Sequence, residues 1–313
     1  MGRNLAALLL FLLGIQTVTS QGQLAKEEAV VSRFLGGSRV VRIYLPPSYK
    51  RDSKRRYPVL YLHDGQNVFS SAGTNIAFGW GNWELDRTVD KLCRAGKMQE
   101  IIMVGVDNSF ARMAEYSGRM SSNKAGEPGG SGSTNLNTAF ENYAAFLIEE
   151  LKPKIDREYR TQPGPAGTGV MGSSMGGICS VALAWEHPEV FGRAASLSGA
   201  FQIEHSDFLK NVLQRYESKP KPVRIYLDSG TIDFTGGDDG RALTGQVAGE
   251  LRRIGWDKEL ELYVDARPLN EAELEKSGLR RDKWREAQTS QHNEFYWRLR
   301  AWRALTFLYP PMK

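Results

Sequence analysis

The sequence predicts an α/β fold, a mostly parallel central sheet with helices on both faces. Three observations predict it. Short runs rich in β-branched residues alternate with longer segments of helical periodicity. Several of those runs are apolar throughout, as strands covered on both faces are. Residues 21–313 hold no internal repeat and no linker-like stretch, so a single domain is the expectation.

The elements follow in order. "RVVRIYL" (39–45) ends at Pro46-Pro47 and reads as a strand. "VLYL" (59–62) is a buried strand that runs into the polar turn "HDGQN". Residues 83–94 have helical spacing, and "IIMVGV" (101–106) is a third apolar strand. A long segment rich in Gly, Ser and Asn follows; loops of that length in compact domains are usually functional or disordered. "AFENYAAFLIEEL" (139–151) is a helix that stops before Pro153. A short strand at 168–171 and a small-residue helix at 175–185 come next. The rest reads as strands at 194–199, from Val223, and at 259–264, with helices at about 240–254 and 294–305.

The two ends of the composition set limits on partners and compartment. Arg3, the apolar run 5–15 and the small residues before Gln21 describe a secretory signal peptide, with cleavage expected after Ser20. That run is short for a membrane span, and no cysteine follows it to carry a lipid, so no stable membrane anchor is expected. Two cysteines, Cys93 and Cys179, are too few for a disulfide scaffold, and whether they pair is left open. The net charge of +5 comes from scattered basic residues; the one cluster, "RDSKRR" (51–56), reads as a solvated turn, so nucleic acid is not an expected partner.

Gly172-Ser173-Ser174-Met175-Gly176 fits G-x-S-x-G between a strand and a helix, the setting in which the central serine is exposed on a sharp turn as a nucleophile. The bland alternative is a glycine-rich turn with an idle serine. A serine hydroxyl needs a base, and the base an orienting acid. Of four histidines, only His205 and His292 follow Ser174 with a loop setting, and only His292 follows an acidic turn, as the order Ser, acid, His requires. His63 reads as a turn-shaping residue and His187 as a helix-end residue. The acid is Asp233 or Asp228, both in "YLDSGTID"; Asp233 is preferred because it stands further into the loop. Asp238 and Asp239 read as cap and dipole partners of the next helix. The amides of Met175 and of Gln66, the latter in the turn after the second strand, are the expected oxyanion donors.

"YLPPSY", "PVLYLHDGQNVF", "VGVDNSFARMAEYS", "FLIEELKPKIDREYRT", "GSSMGG", "HPEVFGRAASLSGAF" and "YLDSGTID", with His292-Asn293-Glu294 and Tyr296-Trp297, resemble the putative esterase family. This group of α/β-hydrolases includes esterase D, feruloyl and acetyl-xylan esterases, enterochelin esterases and mycolyltransferase antigens. The resemblance implies an α/β-hydrolase fold and a Ser174–Asp233–His292 triad, with oxyanion amides at Gln66 and Met175. It also implies neither metal nor organic cofactor. Two departures bear on the substrate. A charged insert, about 265–291, separates the last strand from His292, and the loop 117–134 matches no family block. The insert either covers the site or decorates the surface.

The expected activity is hydrolysis of a carboxylic ester, small or attached to a polysaccharide, by an exported serine esterase. An acyltransferase of the same fold and a siderophore ester hydrolase are the alternatives. A non-catalytic carbohydrate-binding protein is a weaker one, since its signature would be a broken triad. Oligomeric state is left open.

Overall fold

The computed structural model describes residues 21–118 and 136–312. The expected signal peptide at 1–20 and most of the loop 117–134 lie outside the described residues. Among those described, no helix is long and apolar enough to cross a membrane.

Eight strands form one sheet: β1 (Gln23–Ser32), β2 (Gly37–Leu45), β3 (Val59–His63), β4 (Ile102–Val106), β5 (Thr168–Ser173), β6 (Arg193–Leu197), β7 (Arg224–Ser229) and β8 (Leu260–Val264). They lie in the order β1-β2-β4-β3-β5-β6-β7-β8. β1 and β2 are antiparallel, β2 runs antiparallel to β4, and every pairing from β4 to β8 is parallel. The interior strands are short and apolar because both their faces are covered. Alternation along them divides the core. Val59, Tyr61, Val170, Ala194, Ile225 and Leu227 face one side, under the helices Met175–Glu186 and Arg241–Ile254. Leu60, Leu62, Met171, Ala195 and Tyr226 face the other, under Leu85–Arg94 and Glu294–Leu308. Cys179 belongs to the first layer and Cys93 packs on the second, so the sheet stands between them and both thiols are free.

Each strand expected from the sequence forms, within a few residues. β1 was not expected. "QLAKEEAVVS" carries three charges and is mostly exposed, as befits an antiparallel edge strand in which charge discourages further pairing. The helix expected at 139–151 is longer: Leu136–Ala145 runs through a π-helical segment, Phe146–Leu151, into Lys152–Glu158. Pro153 sits in the first turn of that last piece, after a widened segment has released the usual hydrogen-bond register.

The insert is ordered. It holds the helices Glu271–Ser277, with a capping box from Asn270 and Glu273, and Trp284–Thr289. Leu274, Leu279 and Ala287 from the insert form a small core with Phe295 and Tyr296, which belong to the last helix.

Candidate active site

Ser174 sits where β5 ends and the helix Met175–Glu186 begins, with φ 52° and ψ −120°. That backbone conformation costs a non-glycine residue on the order of 1–3 kcal/mol and persists because the surroundings enforce it. They do so tightly. The Ser174 amide donates to the carbonyl of Leu197 (2.9 Å), and its carbonyl accepts from Gly177 and Ala200 (both 3.0 Å). A Cβ on Gly172 would stand 2.7 Å from the backbone of Gly176, and one on Gly176 would stand 3.0 Å from Cβ of His63. Strand and helix therefore approach too closely for side chains at these positions, the physical content of the two glycines in the motif.

His292 lies between the insert and the last helix. Its ring is 5.1 Å from Trp297 and 5.8 Å from Phe234, edge-on to both. Its Nδ1 bonds Oδ1 of Asp239 at 2.6 Å. A carboxylate can only accept, so Nδ1 carries the proton and Nε2 is left as the basic nitrogen.

The acid beside the histidine is thus Asp239, not the expected Asp233. The Asp233 carboxylate accepts from the amides of Thr235 (2.8 Å) and Gly237 (3.2 Å) and from the Thr235 hydroxyl (2.6 Å), closing its own surface turn. It is satisfied locally, which is what an Asx turn does. Nor does Asp239 cap the following helix. The cap position is Gly240, and Asp238 accepts from the first-turn amide of Ala242 at 3.3 Å. Asp228, the other sequence candidate, is fully buried and pairs with Arg300. Burial pushes its carboxyl up to about 6, against the pull of the guanidinium.

Asp239 is held from behind by groups that sequence reasoning did not find. Its Oδ2 accepts from the amide of Gly230 (2.6 Å) and from the Ser198 hydroxyl. The Ser198 oxygen in turn accepts from Trp297 Nε1 (3.1 Å) and from Arg300 Nη2 (2.8 Å), which uses its full capacity of one donor and two acceptors. Arg300 also reaches Asp265 (2.8 Å). Burial alone would lower the Arg300 pKa, but Asp228, Asp265 and Asp239 together raise it.

Ser174 and His292 line one cavity of about 680 Å³. Met175 is the first residue of the helix after Ser174, so its amide is among those without an intrahelical partner. Gln66 lies in the single helical turn Gly65–Asn67 after β3; its side-chain oxygen accepts from the amide of Asn108 at 3.1 Å. Its neighbours Asp64 and Asn67 line the cavity. Two of the remaining histidines lie elsewhere. His63 is buried against Tyr143 (2.9 Å), and His187 pairs with Glu189 at the surface (3.5 Å). Residue 205 is in the helix Ile203–Asp207.

The family model described as "Putative esterase" matches residues 32–304. The chain belongs to that family. The ferulic acid esterase among solved structures is similar to this esterase-family chain with a TM-score of 0.62 at 17% identity, over 93% of this chain and 98% of the other. The enterobactin esterase FES of Shigella flexneri is similar with a TM-score of 0.63 at 18% identity, over 93% of this chain and 61% of that one. At such identities the likeness is one of fold, an α/β-hydrolase. Among curated relatives, YbbA of Bacillus subtilis (strain 168), an uncharacterized protein, is 23% identical over 64% of this chain and 71% of its own. The endo-1,4-beta-xylanase/feruloyl esterase of Xylanibacter ruminicola is 29% identical over 54% of this chain, which spans only 20% of that longer protein.

Two sets of side chains complete the cavity of this family member. One is aromatic: Phe78, Trp80, Trp83, Phe234 and Trp297. The other is polar. Arg112 grips Asp64 with two bonds (2.7 and 2.8 Å), Asn108 donates to the same carboxylate (2.6 Å), and Asn67 donates to Glu294 (3.4 Å). Glu286, Thr289 and Ser290 bring the insert into the wall, so it borders the site rather than decorating a distant surface.

Proposed function

We propose that this chain is an exported carboxylic-ester hydrolase working through an acyl-enzyme on Ser174. One observation carries the reading: a serine on a strained elbow opens into the same cavity as a histidine whose far nitrogen is fixed by a buried carboxylate. In this scheme His292 Nε2 removes the Ser174 proton as Oγ attacks the ester carbonyl. Asp239 holds the tautomer and stabilises the imidazolium. The oxyanion faces the amides of Met175 and Gln66, the first with the positive end of a helix behind it. His292 then returns the proton to the leaving alcohol, and water reverses the sequence to free the acid.

The substrate class proposed is an acylated carbohydrate or a comparable hydroxyl-rich ester. The names of the relatives, which include feruloyl and enterobactin esterases, support an ester with a bulky acyl or alcohol part. The leader segment 1–20 supports export. The test treats the purified protein with an alkyl fluorophosphonate and maps the adduct by peptide mass spectrometry. It also follows acid release from p-nitrophenyl, feruloyl-sugar and acetyl-sugar esters. An adduct on Ser174 with release of free acid is the expected result. No adduct there, or no ester turned over, ends the reading. An intact Met1 on the native protein would end the export part alone.

A further inference from the structure

Glu294 is two residues after His292 and lines the cavity with it. It occupies the first position of the last helix, where a carboxylate normally stands in water and gains from the helix dipole. Here the cap is already supplied by Asn293, whose side chain accepts from the amide of Tyr296 at 3.2 Å. The side-chain partner of Glu294 is Asn67, at the long distance of 3.4 Å. Burial pushes its carboxyl up to about 7, and Asp64 adds to that push while Arg112 opposes it.

We infer that Glu294 is a specificity-determining residue: with Asn67 it takes a hydroxyl group of the substrate and turns away esters that carry negative charge near the scissile bond. The inference rests on the esterase reading and deepens it. A hydroxyl is the group that suits this carboxyl in either protonation state, donating to the anion or accepting from the acid. A substrate anion fares differently. Arg112 is the one Lys or Arg among the described residues lining the cavity, and both oxygens of Asp64 already bind it. An entering carboxylate would therefore meet Glu294 with no unpaired cation among those residues to offset the repulsion. The aromatic set leaves the rest of the substrate an apolar bed, so the polar set decides which functional groups are accepted beside it.

The test compares three acetate esters on the full chain: glycerol monoacetate (neutral, with hydroxyls), propyl acetate (neutral, without them) and O-acetylglycolate (anionic). Wild type, Glu294→Gln and Glu294→Leu are assayed at matched folded fraction, with kcat and KM separated. In Glu294→Leu the ratio of kcat/KM for the glycerol ester over the propyl ester should fall about tenfold or more, mainly through KM. That is the worth of one hydrogen bond to a charged group. In Glu294→Gln, which keeps the hydrogen-bonding atoms, that ratio should largely persist while the anionic ester gains about tenfold relative to the glycerol ester. Ratios that stay constant in both variants, including an equal fall on all three esters, overturn the inference and leave the esterase reading standing. Absence of turnover by the wild type on all three overturns both.

Discussion

Arg300 and Asp228 form an ion pair at 3.2 Å with both side chains sealed from water, directly behind the carboxylate that holds His292. The same guanidinium reaches Asp265 and the Ser198 hydroxyl, and its distance to Asp239 is 3.9 Å. Removing it leaves buried carboxylates without their cation. Arg300→Met should therefore cost about 3–5 kcal/mol of folding stability, the scale for breaking one partner of a buried pair. Urea unfolding checks it; a loss within experimental error would mean that Asp228 and Asp265 find other partners.

The acid of the site can be assigned by comparing two substitutions. Asp239→Asn should lower kcat by about 10⁴, the scale for a wrong imidazole tautomer, with the fold retained. Asp233→Asn should stay within a few-fold of wild type and lose a little stability from its turn. Steady-state kinetics at matched folded fraction decides, and a dead Asp233→Asn beside an active Asp239→Asn would reverse the assignment.

Ser174→Ala should cost several orders of magnitude in kcat, as triad nucleophiles do, on the order of 10⁶. Ser173→Ala should be mild: Ser173 also lines the cavity, but it is the last strand residue of β5 and the strained turn belongs to Ser174. Reversed outcomes in an ester-hydrolysis assay would place the elbow one residue earlier.

His63 gives a stability signature separate from catalysis. Burial pushes its pKa down to about 4; Asp64 works against that and Arg112 with it. The folded chain keeps the imidazole neutral while the unfolded chain protonates it near 6.5, so the unfolded state binds more protons in between. Stability should fall as pH drops from about 6.5 to about 4, by up to about 3 kcal/mol from this group. In His63→Asn that portion of the pH dependence should vanish. Denaturant titrations at pH 7 and pH 4.5 measure it, and an unchanged pH dependence in the variant would assign the loss to other groups.

Glu294 should tie selectivity to pH. With its carboxyl titrating near 7, discrimination against an anionic ester should deepen as pH rises from about 6 to about 8. The charged groups acting on it are Asp64 and Arg112, with His292 and Glu286 lining the same cavity. His292 would serve both esters alike, so its contribution cancels in the ratio of their kcat/KM values. Glu294→Gln should give a ratio flat in pH, and a slope equal to wild type would point to another group.

The sheet was largely legible because its interior strands are apolar and its turns carry their own markers. Other features were not, for reasons that lie in the residues. β1 owes its place to pairing with β2 and not to burial, so "QLAKEEAVVS" has no apolar pattern to read. Asp239 is one of two adjacent acids before a helix, where either would serve as cap and only tertiary contact separates them. Asp233 misled for a related reason: a loop aspartate three residues past a glycine suits a triad and an Asx turn equally. The strained turn at Ser174 and the placing of His292 on the same cavity were legible, since chain order and backbone geometry constrain both. Ser198 and Arg300 carried no signal of their own, because a buried polar hub is defined by what surrounds it.

Tyr296 ties the insert to the helix that follows His292. Its hydroxyl accepts from the amide of Leu269 (2.8 Å) and donates to the carbonyl of Ala287 (2.7 Å), while the residue itself lies four positions after His292 on the helix that follows. The insert that forms part of the cavity wall and the helix that begins two residues after His292 are therefore joined by one side chain. Under the proposed mechanism, an exchange of residues 265–291 between homologues should lower kcat unless the first turn of the last helix travels with it. Under the proposed function the insert is not a detachable module; it is inherited together with the segment that carries His292.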